Sequence, residues 1–124
     1  MKIVKSELGE FEIHNRYVIA RFKEGMELGF EHVPEISKLL LEHCDGTSVG
    51  WIGDRINDYS FDPLAVQTMY DRLPSIASWC NVMRDGRTVD LQPYVAQMTP
   101  PGFPAASFKS LDKAIEWTLA QSNR

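Results

Sequence analysis

Apolar and polar residues alternate singly at 10–13, where Phe11 and Ile13 interleave with Glu10 and Glu12. That is the period of a strand with one face buried. His14-Asn15-Arg16 follows, a turn triplet because Asn tolerates positive φ, and 17–22 returns as a β-rich strand, so 10–25 is predicted to be a hairpin. From Phe30 the period lengthens. Val33, Ile36 and Leu40 recur at helical spacing while Glu31, Glu35, Lys38 and Glu42 take the other side. Pro34 is tolerated only in a first turn, so this helix is expected to begin near Glu31 or His32 and to stop near Cys44-Asp45-Gly46.

The run 48–54 is short, mainly apolar and free of charge until its end, as in a central strand covered on both faces. Asp62-Pro63 supplies an N-cap followed by proline at the first helical position, with Val66, Met69, Tyr70 and Leu73 as the apolar stripe of a second helix. A further interior strand is expected at 76–83, closed by a turn at Arg84-Asp85-Gly86-Arg87. A short third helix then carries Leu91, Tyr94, Val95 and Met98 on one side, started by Asp90 and Pro93. The proline-rich connection 99–104 leads to a last strand at 105–108. Ser110 caps the final helix, whose Leu111, Ala114, Ile115, Thr118 and Leu119 face inward. The order β-β-α-β-α-β-α-β-α predicts one α/β sandwich domain over 1–124, with an antiparallel entry hairpin at the edge of a mostly parallel sheet.

Composition changes this picture only by exclusion. At 124 residues, one domain burying about two-thirds of its open-chain surface is expected, with no need of a disulfide or structural metal. The net charge of −4 argues against nucleic acid as a partner. It is unevenly spread: residues 1–62 carry 7 basic and 12 acidic side chains, residues 63–124 carry 6 and 5. Much of the excess lies between Glu24 and Asp45, on the outer face of the first helix and its approach, which is expected to be a solvated face or else the side that meets a basic partner; the nearly neutral half is the side expected to self-associate. No apolar run is long enough to span a bilayer, and the first residues lack a secretory pattern. Cys44 and Cys80 form no C-x-x-C pair, so two buried thiols in a cytoplasmic protein are expected.

Three local sequences carry a family likeness: the hairpin turn His14-Asn15-Arg16-Tyr17-Val18-Ile19 with its Glu24-Gly25 exit, the segment Gly53-Asp54-Arg55-Ile56-Asn57-Asp58-Tyr59-Ser60-Phe61-Asp62-Pro63, and the ending Ser110-Leu111-Asp112-Lys113-Ala114-Ile115-Glu116-Trp117. With the element order they resemble the STAS-like superfamily, in particular small bacterial SpoIIAA-like (STAS/Sec14-like) proteins. The resemblance implies a non-enzymatic module that binds a protein partner or itself. In anti-sigma-factor antagonists of this kind, a Ser at the start of the helix after the central strand is phosphorylated. Ser60 is the residue nearest that place here, and Asp58 and Asp62 would face a phosphate on it.

Read from its residues, the segment Arg55, Asn57, Asp58, Tyr59 and Ser60 lies where α/β sheets place ligands, after a strand and before a helix. Arg55 either forks a carboxylate or phosphate, with the Tyr59 and Ser60 hydroxyls as donors, or pins its own loop through Asp58 or Asp62. Asp54, Asp58 and Asp62 do not follow a Ca²⁺-loop pattern, and His14, His32 and His43 have no ligand spacing. No nucleophile, phosphate-loop or dinucleotide motif occurs, so no metal, no cofactor and no catalytic residue are expected. Trp51, Trp79 and Cys80 are expected in the core, and Trp117 half exposed at an interface or pocket. The competing expectation is a carrier of a small anionic or apolar, lipid-like ligand, in a pocket reaching Arg55 near the same loop.

Overall fold

The computed structural model describes residues 1–44, 48–72, 76–83 and 98–122. Six strands form one sheet in the order β1-β2-β3-β5-β7-β8. These are β1 (Lys2–Lys5), β2 (Gly9–Ile13), β3 (Tyr17–Phe22), β5 (Val49–Asp54), β7 (Ile76–Val82) and β8 (Ala105–Phe108). The first three are antiparallel, and β3, β5, β7 and β8 run parallel. Helices α1 (Val33–Cys44), α2 (Pro63–Arg72) and α3 (Leu111–Ser122) pack on it, and a separate pair of two-residue parallel strands joins β4 (Glu27–Leu28) to β6 (Ser60–Phe61).

Period-2 alternation divides the strand side chains between two cores. The row Val18, Trp51, Trp79 crosses three neighbouring strands and faces α1 and α2. The adjacent row Ile19, Ile52, Cys80, Ala106 faces α3, where Ala114 is fully buried. Every residue of β5 is buried, as its uncharged run predicts. A register shift between Val49/Gly50 and Ile76/Ser78 leaves Ala77 as an extra residue in β7. This bulge lets Ile76 and Trp79, three positions apart, enter the same core.

The entry hairpin, the proline-started second helix and the last strand and helix lie where the sequence pattern places them. Lys113 N–H donates to Ser110 Oγ at 3.4 Å, and Asp62 Oδ1 accepts from Leu64 N at 2.9 Å. Two corrections follow. The hairpin does not form the sheet edge, because β1 pairs outside β2. The first helix is preceded by a 3₁₀ turn, Phe30–His32, so its α-helical part begins at Val33. The expected turn at 84–87 and the third helix lie outside the described residues, apart from Met98, which is buried against the α1–α2 core. No described helix is long and apolar enough to cross a membrane.

Candidate functional site

Residues 55–61 leave the C-terminal end of β5 and are fastened at both ends. Arg55 N–H donates to Val82 O at 3.0 Å, so the first residue past β5 is still tied to β7. From there the chain runs beside 24–28. Gly25 N–H donates to Asp58 O at 2.7 Å, Ser60 N–H to Met26 O at 2.9 Å and Asp62 N–H to Leu28 O at 2.8 Å. Glu24 Oε2 accepts from Asp58 N at 2.8 Å. Gly25 makes the approach possible, since its φ of 75° lies in the left-handed region that side-chain-bearing residues avoid. The result is a clasp, with β4 and β6 as its two arms.

Each expected site residue has a definite place on this clasp. Arg55 is 8% exposed; its guanidinium lies 4.0 Å from the centre of the Tyr59 ring and donates to Tyr59 O at 2.6 Å. Arg55 thus shapes the turn that follows it, a self-pinning arrangement made through Tyr59. Tyr59 also packs on Phe22, ring centres 5.0 Å apart, and burial pushes its phenol above the ordinary value. Asn57 Nδ2 donates to Phe22 O at 3.0 Å, tying the loop to the end of β3. Asp58 and Ser60 are exposed, and Ser60 stands opposite Glu27 in the β4–β6 register. Trp117 is not part of this group: it is half-buried on the α3 face, 5.8 Å from the Phe108 ring.

The outer side of the clasp is acidic. Glu24, Glu27, Glu31, Asp58 and Asp62 are all exposed, as are the apolar Phe30 and Leu64 on the segments that continue from β4 and β6, whereas Ile56 lines a separate hollow of about 430 Å³ with Lys5, Arg21 and Lys23. Its inner side is apolar. Leu28 and Phe61 line a cavity of about 40 Å³ between the sheet and α1–α2, together with Phe22, Trp51, Trp79 and Tyr70. Tyr59 contributes to the wall, and Arg55 does not.

A second polar cluster escaped the sequence reading. On the α3 face, Arg21 Nε donates to Asp54 Oδ2 at 2.9 Å and Arg21 Nη1 to Glu12 Oε2, while His14 Nε2 lies 3.3 Å from Glu12 Oε1 and stacks on Tyr17. Asp54 is thereby held apart from Asp58 and Asp62 rather than grouped with them. The hydrogen bond from Arg21 lowers the Glu12 carboxyl below its ordinary value against the opposing effect of burial. The alternation of Glu10 and Glu12 in β2 and the odd phase of Arg21 in β3 were the available signals. Among the described residues, no group of three or more His, Cys, Asp or Glu is placed to hold a metal ion.

No family model matches the chain, and neither a curated protein nor a solved structure matches it.

Proposed function

We propose that this chain is a non-enzymatic, STAS-like interaction module of the cytoplasm, with the acidic outer side of the clasp as its partner-facing surface. One observation carries the reading: the β4–β6 pairing brings the acid-rich stretches 24–31 and 58–62 side by side, with the exposed apolar Phe30 and Leu64 on the segments that continue from them. A rim mostly of one charge steers an oppositely charged partner, and exposed apolar side chains beside it supply anchors that become desolvated on docking. The complementary surface is basic, with small apolar recesses. Arg55 and Tyr59 act in this reading as positioning residues, because they hold the rim's backbone rather than face outward. Ser60 lies within the rim, where a phosphate would add charge opposite Glu27 and change the affinity for such a partner.

The test is a pull-down from native extract with three baits: wild type, Glu27→Lys/Asp58→Lys, and Glu116→Lys on the exposed side of α3. A partner kept by wild type and Glu116→Lys and lost by the double variant supports the rim. Identical partner lists for all three baits would remove it.

A further inference from the structure

The hollow at Ile56 is separate from the cavity under the clasp and carries charge that the fold does not use. Its volume is about 430 Å³. Lys23 follows β3 and Ile56 follows β5, so it lies past the carboxyl ends of these parallel strands, where α/β sheets place ligands. Lys5, Arg21 and Lys23 line it against one acid, Glu10, in a chain whose net charge is −4. Lys5, Glu10 and Arg21 are register partners across β1, β2 and β3, so their side chains leave the same face of the sheet. Cross-strand neighbours of opposite charge ordinarily pair. Here Lys5, Glu10 and Lys23 form no ion pair among the described residues. Arg21 turns instead to Asp54 and Glu12, which fix its guanidinium and leave Nη2 without a hydrogen bond among the described residues. The Ser6 hydroxyl, also in the wall, accepts from Leu8 N–H at 3.0 Å and keeps its own proton to donate.

These groups narrow the ligand class. Glu12 and Asp54 offset the Arg21 charge, so the attraction comes from Lys5 and Lys23, which together favour a doubly charged anion. A phosphate group carries roughly −1.5 to −2 charge and three strong acceptor oxygens, matching two ammonium groups and the Ser6 hydroxyl. Glu10 works against a bare ion, because its carboxylate repels one. It accepts from a hydroxyl instead, and Arg21 Nη2 donates to the same kind of group. No aromatic side chain is among the described residues of the wall, so a nucleobase would find nothing to stack on. The half-exposed Ile56 offers an apolar contact to the C–H side of a sugar. The volume falls within the roughly 300–1,000 Å³ of small-molecule sites. We propose that this hollow binds a small sugar phosphate, with the phosphate on Lys5, Lys23 and Ser6 and sugar hydroxyls on Glu10 and Arg21 Nη2. The site shares no residue with the acidic rim and does not depend on it.

The experiment titrates the isotope-labelled full chain with glucose 6-phosphate, glucose and inorganic phosphate at low ionic strength, followed by amide chemical shifts. Wild type is compared with Lys5→Gln/Lys23→Gln and with Glu10→Gln. Glucose 6-phosphate is expected to shift residues 5–10, 21–23 and 56–57 saturably. Glucose should shift none of them, and inorganic phosphate should bind about tenfold more weakly than glucose 6-phosphate. The double lysine variant should weaken glucose 6-phosphate about tenfold, whereas Glu10→Gln should bring it to within about threefold of inorganic phosphate. No saturable shift, shifts confined to other residues, a double variant that binds as wild type does, or an unchanged preference in Glu10→Gln overturns the proposal. Equal binding of glucose 6-phosphate and inorganic phosphate to wild type would mean an adventitious ion only, and overturns it too. If a variant does not fold, wild type decides alone: magnetisation transfer from bound glucose 6-phosphate to the Ile56 methyl protons supports the site, and its absence overturns it.

Discussion

Thr118 occupies the space that a side chain at position 50 would need. A Cβ on Gly50 would stand 2.1 Å from Thr118 Cγ2 and 2.8 Å from Ser78 Oγ. α3 therefore reaches β5 only because residue 50 is glycine, and the two fully buried α3 residues, Ala114 and Thr118, set the depth of that contact. Gly50→Ala is expected to destabilise the fold by about 2–3 kcal/mol in urea denaturation, the upper range for overpacking a filled core. Adding Thr118→Ser, which keeps the hydroxyl and removes Cγ2, should recover part of the loss. No recovery would place the strain elsewhere.

The Asp54 side chain is fully buried and meets the Arg21 guanidinium at 2.9 Å. Removing one partner of a buried pair leaves a desolvated charge. Arg21→Met should therefore cost about 3 kcal/mol, whereas Arg21→Met/Asp54→Leu should lose less than the single change. A double variant as unstable as the single one would contradict this assignment.

Glu12 gives the pair a pH signature. Its folded-state pKa lies below its ordinary value of 4.5, so the unfolded chain binds the proton more readily. The stability it contributes is complete above its unfolded pKa and is lost as pH falls through the lower, folded value. Denaturation midpoints followed downward from about pH 5.5 should fall less steeply for Glu12→Gln than for wild type, and run parallel above that pH. Equal acid slopes would show that the carboxylate is not coupled to folding.

At Arg55 the guanidinium both stacks on Tyr59 and donates to its carbonyl. A lysine supplies the charge without the planar face, so Arg55→Lys should behave as a disruptive change. Amide hydrogen exchange at Ser60 and Asp62, whose N–H groups close the clasp, should accelerate in Arg55→Lys while the β5 amides stay protected. Unchanged exchange at both positions would argue against a positioning role.

Burial pushes the Cys80 thiol up to about 11 and also raises Cys44. Both are buried, so neither should react with a thiol reagent in the native protein at about pH 8, and both should react after unfolding. A fast native-state reaction would mean that one of them reaches solvent.

Much of the layered arrangement was legible because it rests on local period: alternation in β2 and β3, helical spacing in α1, capping at Asp62-Pro63 and Ser110. What was not legible is what long-range pairing creates. β4 and β6 have two residues each, too few to carry a period, and exist because 26–28 and 60–62 meet. β1, with its short Lys2-Ile3-Val4-Lys5 sequence, is a strand because β2 offers it an edge. The bulge at Ala77 leaves no mark in the run 76–82, where polar Ser78 and Asn81 follow no alternation. At the candidate site, the sequence singled out a segment but not its bonds. The ties from Asn57 to Phe22 and from Asp58 to Glu24 span 35 and 34 residues. The Arg21–Asp54 contact spans 33 and joins two strands whose neighbouring order the sequence does not print.

The two arms of the clasp supply Leu28 and Phe61 to the rim of the cavity, and the bonds from Ser60 to Met26 and from Asp62 to Leu28 hold those arms together. Because Leu28 and Phe61 are register partners, this part of the wall cannot shift on one arm alone. A substitution in 24–28 is therefore expected to be felt at 58–62, and the reverse, although the two stretches lie far apart along the chain.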